Sequence, residues 1–338
     1  MTEGPATIGA RNGERGVALV ITLMAVALLT ILVVQFTYEV QVDHRRAAHW
    51  LKARRAAGLA ESGLVLAEVL LELDARAGKT DALTEPWALP FPPIEAPGGG
   101  LLAIRIDDEQ GRYNINRLRS ASAGETARFA RLLELAGVDP RLVAPLADWI
   151  DADSKVRFGP EGAEAPQYRD TVPPYAPRNA PMLTLRESVL VRGLGPKQLL
   201  KLAKVAAVLP AGERRININT APEKVLRALH PRMEDERLIG RLLERRARRA
   251  ISGRADLESI PGLAEVPIAS LVGYSSKYFR VRTVGSIDGI HRSLEALVTR
   301  ENGKSRTVYR LERNVPTIAG VDTSVPTRLN ELSWPDAS

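Results

Sequence analysis

Five carboxylates crowd one short stretch of this chain: Asp148, Asp151, Asp153, Glu161 and Glu164, all within "ADWIDADSKVRFGPEGAEA". Hard oxygen ligands gathered around a glycine-containing loop are what a calcium ion takes, although the spacing is not that of an EF-hand. The same residues also read as an acidic helix end in solvent. A second kind of chemistry is suggested by "LVRGLGPKQLL" and "ADLESIPGLAEVPIASL", which have the pattern of helix-hairpin-helix units. In such a unit a Gly-x-Gly turn offers backbone N–H groups to a DNA phosphate. Gly193 and Gly195 match it, whereas the second unit has Gly262 followed by Ala264. The segment "RLLERRARRAISGR" adds clustered arginine, which is either a phosphate-binding stripe or a solvated helix face.

Catalytic constellations are missing from the sequence. The histidines His44, His49, His230 and His291 are scattered and the chain has no cysteine. Neither a Gly-x-Ser-x-Gly elbow nor a phosphate-binding P-loop occurs. The expectation is a protein that is not an enzyme. Without cysteine there is no disulfide and no thiolate metal site. The net charge of +7 and pI of about 9.8 would suit nucleic acid or an anionic membrane surface, and equally an arginine-rich composition with no such partner.

The elements that must carry these residues can be read from hydrophobic pattern. Val17 to Phe36 is uncharged. At about 1.5 Å per residue that run spans about 30 Å, the hydrocarbon thickness of a bilayer. No small-residue cleavage site follows it, and the apolar spacing of Val42, Leu51, Leu59, Leu66, Leu70 and Leu73 continues as a helix to about residue 76. One long helix, half in lipid and half in water, is expected. A Pro- and Gly-rich loop follows over 79–100, and "LLAIRIDDEQGRYNIN" then reads as strand, turn, strand. Amphipathic helices fill 117–275. Strand patterns return in "SKYFRVRTVGSI", "HRSLEALVTREN" and "SRTVYRLERN", and the tail from residue 314 reads as flexible. Strands on both sides of a helical block predict an α+β chain: one sheet interrupted by an inserted all-α domain.

Several marks occur together and in order: an apolar helix preceded by a leader ending in Gly16, then "GRYNINRL", "LADWIDAD" with "GPEGAEAPQY", "PRNAPMLTLRE" with "VRGLG", and "ININTA". With these marks the chain resembles the minor pseudopilin K of type II secretion, over most of residues 17 to 313. The fifth residue after Gly16 is Ile21, where most pilin-like proteins carry Glu, and the K pseudopilins are the members that lack it. The resemblance implies a prepilin leader (1–16) cut between Gly16 and Val17 by a prepilin peptidase, with methylation of the new amine. It implies a transmembrane segment (17–36) in the bacterial inner membrane and a periplasmic stalk (37–78). The flanking charges do not themselves orient the span, so the cytoplasmic N-terminus is also taken from the resemblance.

For the body it implies a pseudopilin sheet in two parts (101–116 and 276–313) around a helix-hairpin-helix or SAM-like insertion (117–275). Calcium at the acidic loop is implied too, with Ala165 standing where the family's usual acid would add a ligand. Partners would be pseudopilins I and J, bundled along the stalk through small residues such as Ala53, Ala56, Ala57 and Ala60. The function implied is a subunit at the tip of the pseudopilus that initiates assembly and supports protein export across the outer membrane. DNA would be at most a weak ligand. The competing reading is a membrane-anchored helix-hairpin-helix protein of a DNA-uptake apparatus.

Overall fold

The computed structural model describes residues 11–120, 122–157 and 161–314. The first ten residues of the expected leader and the expected tail from 315 lie outside them. The chain divides into two compact units at Arg55/Ala56. Helix α1, Arg11–Ala77, contributes to both. In the first unit every residue from Gly16 to Val40 is exposed, including the whole apolar run. Such a surface fits an apolar solvent, and among the described residues this helix is long and apolar enough to cross a membrane.

In the second unit α1 becomes amphipathic. Ala60, Leu64, Ala67 and Leu71, spaced by three and four residues, are buried. After it come strands β1 (Ile94–Glu95) and β2 (Leu101–Asp108). A helical lobe begins with β3 (Tyr113–Asn114), α2 (Ala123–Ala136), α3 (Val143–Ile150), α4 (Ala165–Tyr168), α5 (Pro196–Leu202) and β4 (Ala206–Ala207). It continues with β5 (Ile216–Asn217), α6 (Glu223–Ala228), α7 (Glu236–Arg248), α8 (Arg254–Glu258) and β6 (Val272–Gly273). The chain ends in β7 (Tyr278–Ile287), β8 (Ile290–Glu301) and β9 (Lys304–Asn314).

The main sheet has the order β1-β2-β7-β8-β9 and is antiparallel throughout. Strands β2 and β7 are neighbours, with Leu101 opposite Ser286 and Asp108 opposite Phe279, so the whole helical lobe is inserted between two paired strands. Alternate residues of the sheet, among them Leu102, Ile104, Ile106, Phe279, Val281 and Val298, pack with Trp87 on the buried stripe of α1. Two glycines permit this contact. A Cβ on Gly63 would lie 2.7 Å from Leu102 Cδ1, and one on Gly285 would lie 2.0 Å from the carbonyl oxygen of Ala56.

The expected strand-turn-strand over 101–116 is present only as a sequence of elements. Strand β3 pairs in parallel with β4, far along the chain, and not with β2. Residues 113–116 therefore open the helical lobe, because the side chains of Asn114 and Asn116 are satisfied there by Pro210, Leu209 and Met182.

The lobe is built twice from one plan around a common core. Each copy starts with a short strand bearing Asn-Ile-Asn and closes with a second short strand parallel to it, β3 with β4 and β5 with β6. In the first, Asn116 exchanges two hydrogen bonds with the backbone of Met182, at 2.8 and 3.0 Å. In the second, Asn219 does the same with Ile251 at 2.8 and 3.0 Å. Eleven residues on in both copies stands a left-handed glycine, Gly193 at φ 82° and Gly262 at φ 90°. The copies differ most between α3 and Met182, where the first carries residues 151–181 and the acidic loop.

Candidate functional site

The acidic loop leaves the C-terminal end of α3, whose eight residues are all buried. The first carboxylate is a structural tie. Asp148 is fully buried and accepts the N–H groups of Arg157 at 2.9 Å and Ala163 at 2.8 Å, which folds the loop back on the helix. Gly162 is required at that closure, because a Cβ there would lie 2.4 Å from Asp148 Oδ2.

Asp151, Asp153 and Glu164 converge, each with one oxygen within 4.8 Å of the others. Asp151 and Glu164 are buried, at 1% and 2% exposure, yet neither has a hydrogen-bonded carboxylate oxygen among the described residues. Buried carboxylate oxygens without donors are costly, and the cost is relieved by a cation or a proton. Burial first, and then the charges of Asp148, Asp151 and Asp153, push Glu164 up to about 7. Burial raises Asp148 and Asp151 as well. Asn179, in a left-handed conformation at φ 50°, donates its Nδ2 to the Asp153 carbonyl at 2.7 Å. Its Oδ1 has no donor among the described residues.

Three carboxylate oxygens facing a common point fit a hard divalent ion such as calcium, and the unsatisfied Asn179 Oδ1 is a further oxygen on the segment tied to Asp153. Of the five carboxylates expected to act together, three meet. Asp148 is committed to backbone N–H groups, and Glu161 is exposed and outside the convergent group. Sequence reading missed Asn179, whose only signal is "PRNAP" some distance on.

A second acidic group, Asp74, Asp81 and Glu85, lies within the same limits but already has its cation. Arg300 pairs with Asp74 at 2.9 Å and with Asp81, while Glu85 accepts from Ala82 N and Trp87 Nε1 at 2.9 and 2.8 Å. Metal is not needed there.

The hairpin glycines have a packing role. A Cβ on Gly193 would sit 3.1 Å from Leu142, and one on Gly262 would sit 3.1 Å from Leu238, so each turn receives a leucine from the preceding part of its own repeat. Gly195 caps α5, which is only seven residues long, and α8 is followed by turns in place of a second helix. The hairpin pattern is therefore incomplete in the second copy. The arginines of α7 divide: Arg246 donates to the carbonyls of Ile218 and Ala221 and Arg245 pairs with Asp256, whereas Arg237, Arg241 and Arg248 are exposed, Arg241 donating to the Pro261 carbonyl at the surface.

The two lobe copies coincide with known families. The family description "Type II secretion system (T2SS), protein K" matches residues 111–211 and again, with a second model, 216–274. The type II secretion system protein K of Pseudomonas aeruginosa is 34% identical over 232 residues, 65% of this chain and 69% of that protein. The chain belongs to the type II secretion system protein K family. Protein K of Klebsiella pneumoniae is 28% identical over 272 residues, covering 76% of this chain and 82% of the relative. A crystal structure of the GspK-GspI-GspJ complex from enterotoxigenic Escherichia coli superposes with a TM-score of 0.66 at 22% identity, over 80% of this chain and all of that one. The chain thus shares the fold of that structure over four fifths of its length, and has itself a long apolar N-terminal helix, an antiparallel sheet and an inserted helical lobe. Family membership supports a minor pseudopilin role, and the single apolar helix fits a membrane anchor.

Gly16 and Val17 both lie on α1, and nothing approaches within 4 Å of a Cβ placed on Gly16. Ile21 is exposed on the same apolar helix.

Proposed function

We propose that this protein is a minor pseudopilin at the tip of a type II secretion pseudopilus. It is anchored in the inner membrane with its N-terminus in the cytoplasm and its folded body in the periplasm. In this reading it initiates assembly with pseudopilins I and J, a partnership suggested by its likeness to the GspK-GspI-GspJ complex. The observation that carries it is the outer face of α1. While Ala60, Leu64, Ala67 and Leu71 are buried on the chain's own sheet, Val65, Leu66, Val69 and Leu73 remain exposed on the same turns of helix. An apolar ridge on a helix already packed on its other side is the surface that a neighbouring stalk helix covers.

This revises the expected bundling positions. Ala56 and Ala60 are buried, and the Ala60 carbonyl accepts the Thr283 hydroxyl at 2.8 Å, so they serve the chain's own sheet and not a neighbour. Val69→Asp is expected to leave the protein folded, since Val69 is 46% exposed. It should cost roughly tenfold or more in recovery of pseudopilins I and J on co-purification, because a carboxylate buried in an apolar helix contact lacks a partner. Undiminished recovery would remove this ridge as the bundling surface.

Processing is read in the same way. A prepilin peptidase would cut after Gly16, with methylation of the new Val17 amine. Intact mass and N-terminal sequencing of protein from membranes containing that peptidase should give a chain beginning at Val17. An intact Met1 would contradict the pilin-type pathway.

Asp151, Asp153, Glu164 and the Asn179 side-chain oxygen would hold the calcium ion. There it would neutralise buried carboxylates and tie the loop to Asn179, a structural role without catalysis.

A further inference from the structure

We infer that Arg157 is the acidic loop's own cation and competes with the metal for it. The inference rests on the calcium reading above. Four contacts place Arg157. Its N–H binds Asp148 Oδ1 at 2.9 Å, its Nε lies 2.7 Å from Asp151 Oδ2, one terminal nitrogen lies 3.7 Å from Asp153, and the other reaches the Arg119 carbonyl at 3.3 Å.

The guanidinium is a poor fit for the group it neutralises. The Nε to Asp151 distance is short, but the N–H is not aimed at the oxygen, which keeps no hydrogen bond. Asp153 is at the outer limit of an ion pair, and Glu164 receives no cation among the described residues. Arginine works best as a planar fork on one carboxylate, whereas three oxygens converging on a point suit a small spherical ion.

The side chain of Arg157 is 31% exposed, so it covers the acids from the solvent side and has water to swing into. A divalent ion among the three oxygens would stand only a few ångströms from that guanidinium. Two cations so close repel, and the ion, reaching all three carboxylates, wins when its concentration suffices. The loop therefore has two cation-filled states: one closed by Arg157 on Asp151 and Asp153, one closed by metal on Asp151, Asp153 and Glu164. In the second the arginine is released to the surface, while its backbone N–H stays on Asp148. Arg157 thereby sets the threshold concentration at which metal binds.

The test uses the full chain in detergent micelles, with calcium chloride in a calorimeter and terbium as a luminescent competitor excited through Trp149, two residues before Asp151. Arg157→Gln removes the competing charge and is expected to bind calcium about tenfold more tightly than the unaltered protein. Arg157→Lys keeps the charge and should bind much as the unaltered protein does. Without metal Arg157→Gln should melt at a lower temperature, since its carboxylates are then unopposed, and saturating calcium should close the gap.

Unchanged or weaker binding by Arg157→Gln, with the unaltered protein still binding, overturns the competition and leaves the calcium site standing. Failure of Arg157→Gln to fold even in saturating calcium also overturns it, because the arginine would then be an indispensable tie. If none of the three proteins binds calcium or terbium, the calcium reading fails and the inference falls with it.

Discussion

Gly285→Ala is expected to destabilise the body of the protein by about 3 kcal/mol or more, and to separate the α1 segment from the sheet it covers. The added methyl would meet the Ala56 carbonyl oxygen at 2.0 Å and the Leu59 Cβ at 2.8 Å. These are backbone and near-backbone atoms, so no side-chain rotation relieves the overlap. The helix must lift, and lifting it uncovers Leu64, Leu71, Ile104 and Phe279, each of which loses buried apolar area. Gly63→Ala is the informative companion. There the nearest atom is the end of the Leu102 side chain at 2.7 Å, which can turn aside, although Thr283 Cγ2 follows at 3.0 Å. It should cost about 1 to 2 kcal/mol. Thermal unfolding of the two variants in detergent, followed by circular dichroism, separates the cases. An unshifted melting temperature for Gly285→Ala would mean that helix and sheet are not packed as closely as described.

Asp108→Ala should cost about 2 to 4 kcal/mol at neutral pH, with a pH signature that identifies its cause. The Asp108 carboxylate ends strand β2 and accepts from Gln110 N, Asn217 Nδ2, Thr220 Oγ1 and Ser276 Oγ. It joins the main sheet, the second lobe copy and the approach to β7 in one buried knot. All four donors are uncharged, so burial dominates and pushes Asp108 up to about 6.

The sign follows from linkage. A carboxyl group whose folded pKa lies above its unfolded value of 3.8 binds its proton more readily when folded. Its contribution to stability therefore grows as pH falls from about 6 to about 4, by up to about 3 kcal/mol for a shift of this size. Asp74, also raised to about 6 chiefly by burial, acts in the same direction. Asp107 and Glu125 act oppositely, since their arginine partners hold them low against the effect of burial. The decisive quantity is thus the difference between the unaltered protein and the variant. The deficit of Asp108→Ala should widen between pH 7 and pH 4.5 in urea unfolding. A constant or shrinking deficit would mean that Asp108 is not the titrating group.

The fold class was legible because periodicity carried it. The apolar run from Val17, the three- and four-residue spacing along α1 and the alternation in β7, β8 and β9 each bury a face, and burial is what sequence pattern records. The pairing of β3 was not legible. Two residues of strand have no pattern of their own, and their partner lies beyond α5, so the adjacent "DEQG" turn misled. In the site, the gathering of Asp151, Asp153 and Glu164 could be anticipated from composition. The different employment of Asp148 could not, because it depends on which N–H groups the loop brings to it. Asn179 and Arg157 were missed for the same reason. The arginine stripe of α7 was legible in part: Arg237, Arg241 and Arg248 meet solvent as a solvated face does, whereas Arg246 donates to internal carbonyls, which no sequence pattern marks. A signal that was present and unread is the recurrence of Asn-Ile-Asn at 114–116 and 217–219, the outward mark of the doubled lobe.

That doubling bears on the ancestry of ion binding. The second copy closes its strand pair and its asparagine clamp with no acidic loop at all, joining α7 to Ile251 by a few residues. The architectural plan therefore does not require the loop, and residues 151–181 are an elaboration carried by one of two sister modules. A scaffold with one embellished and one plain module can alter the embellishment, and with it any ion held there, while the plan shared by both modules is kept. On the calcium reading proposed above, dependence on the ion can thus diverge among descendants of this architecture without the architecture itself being at risk.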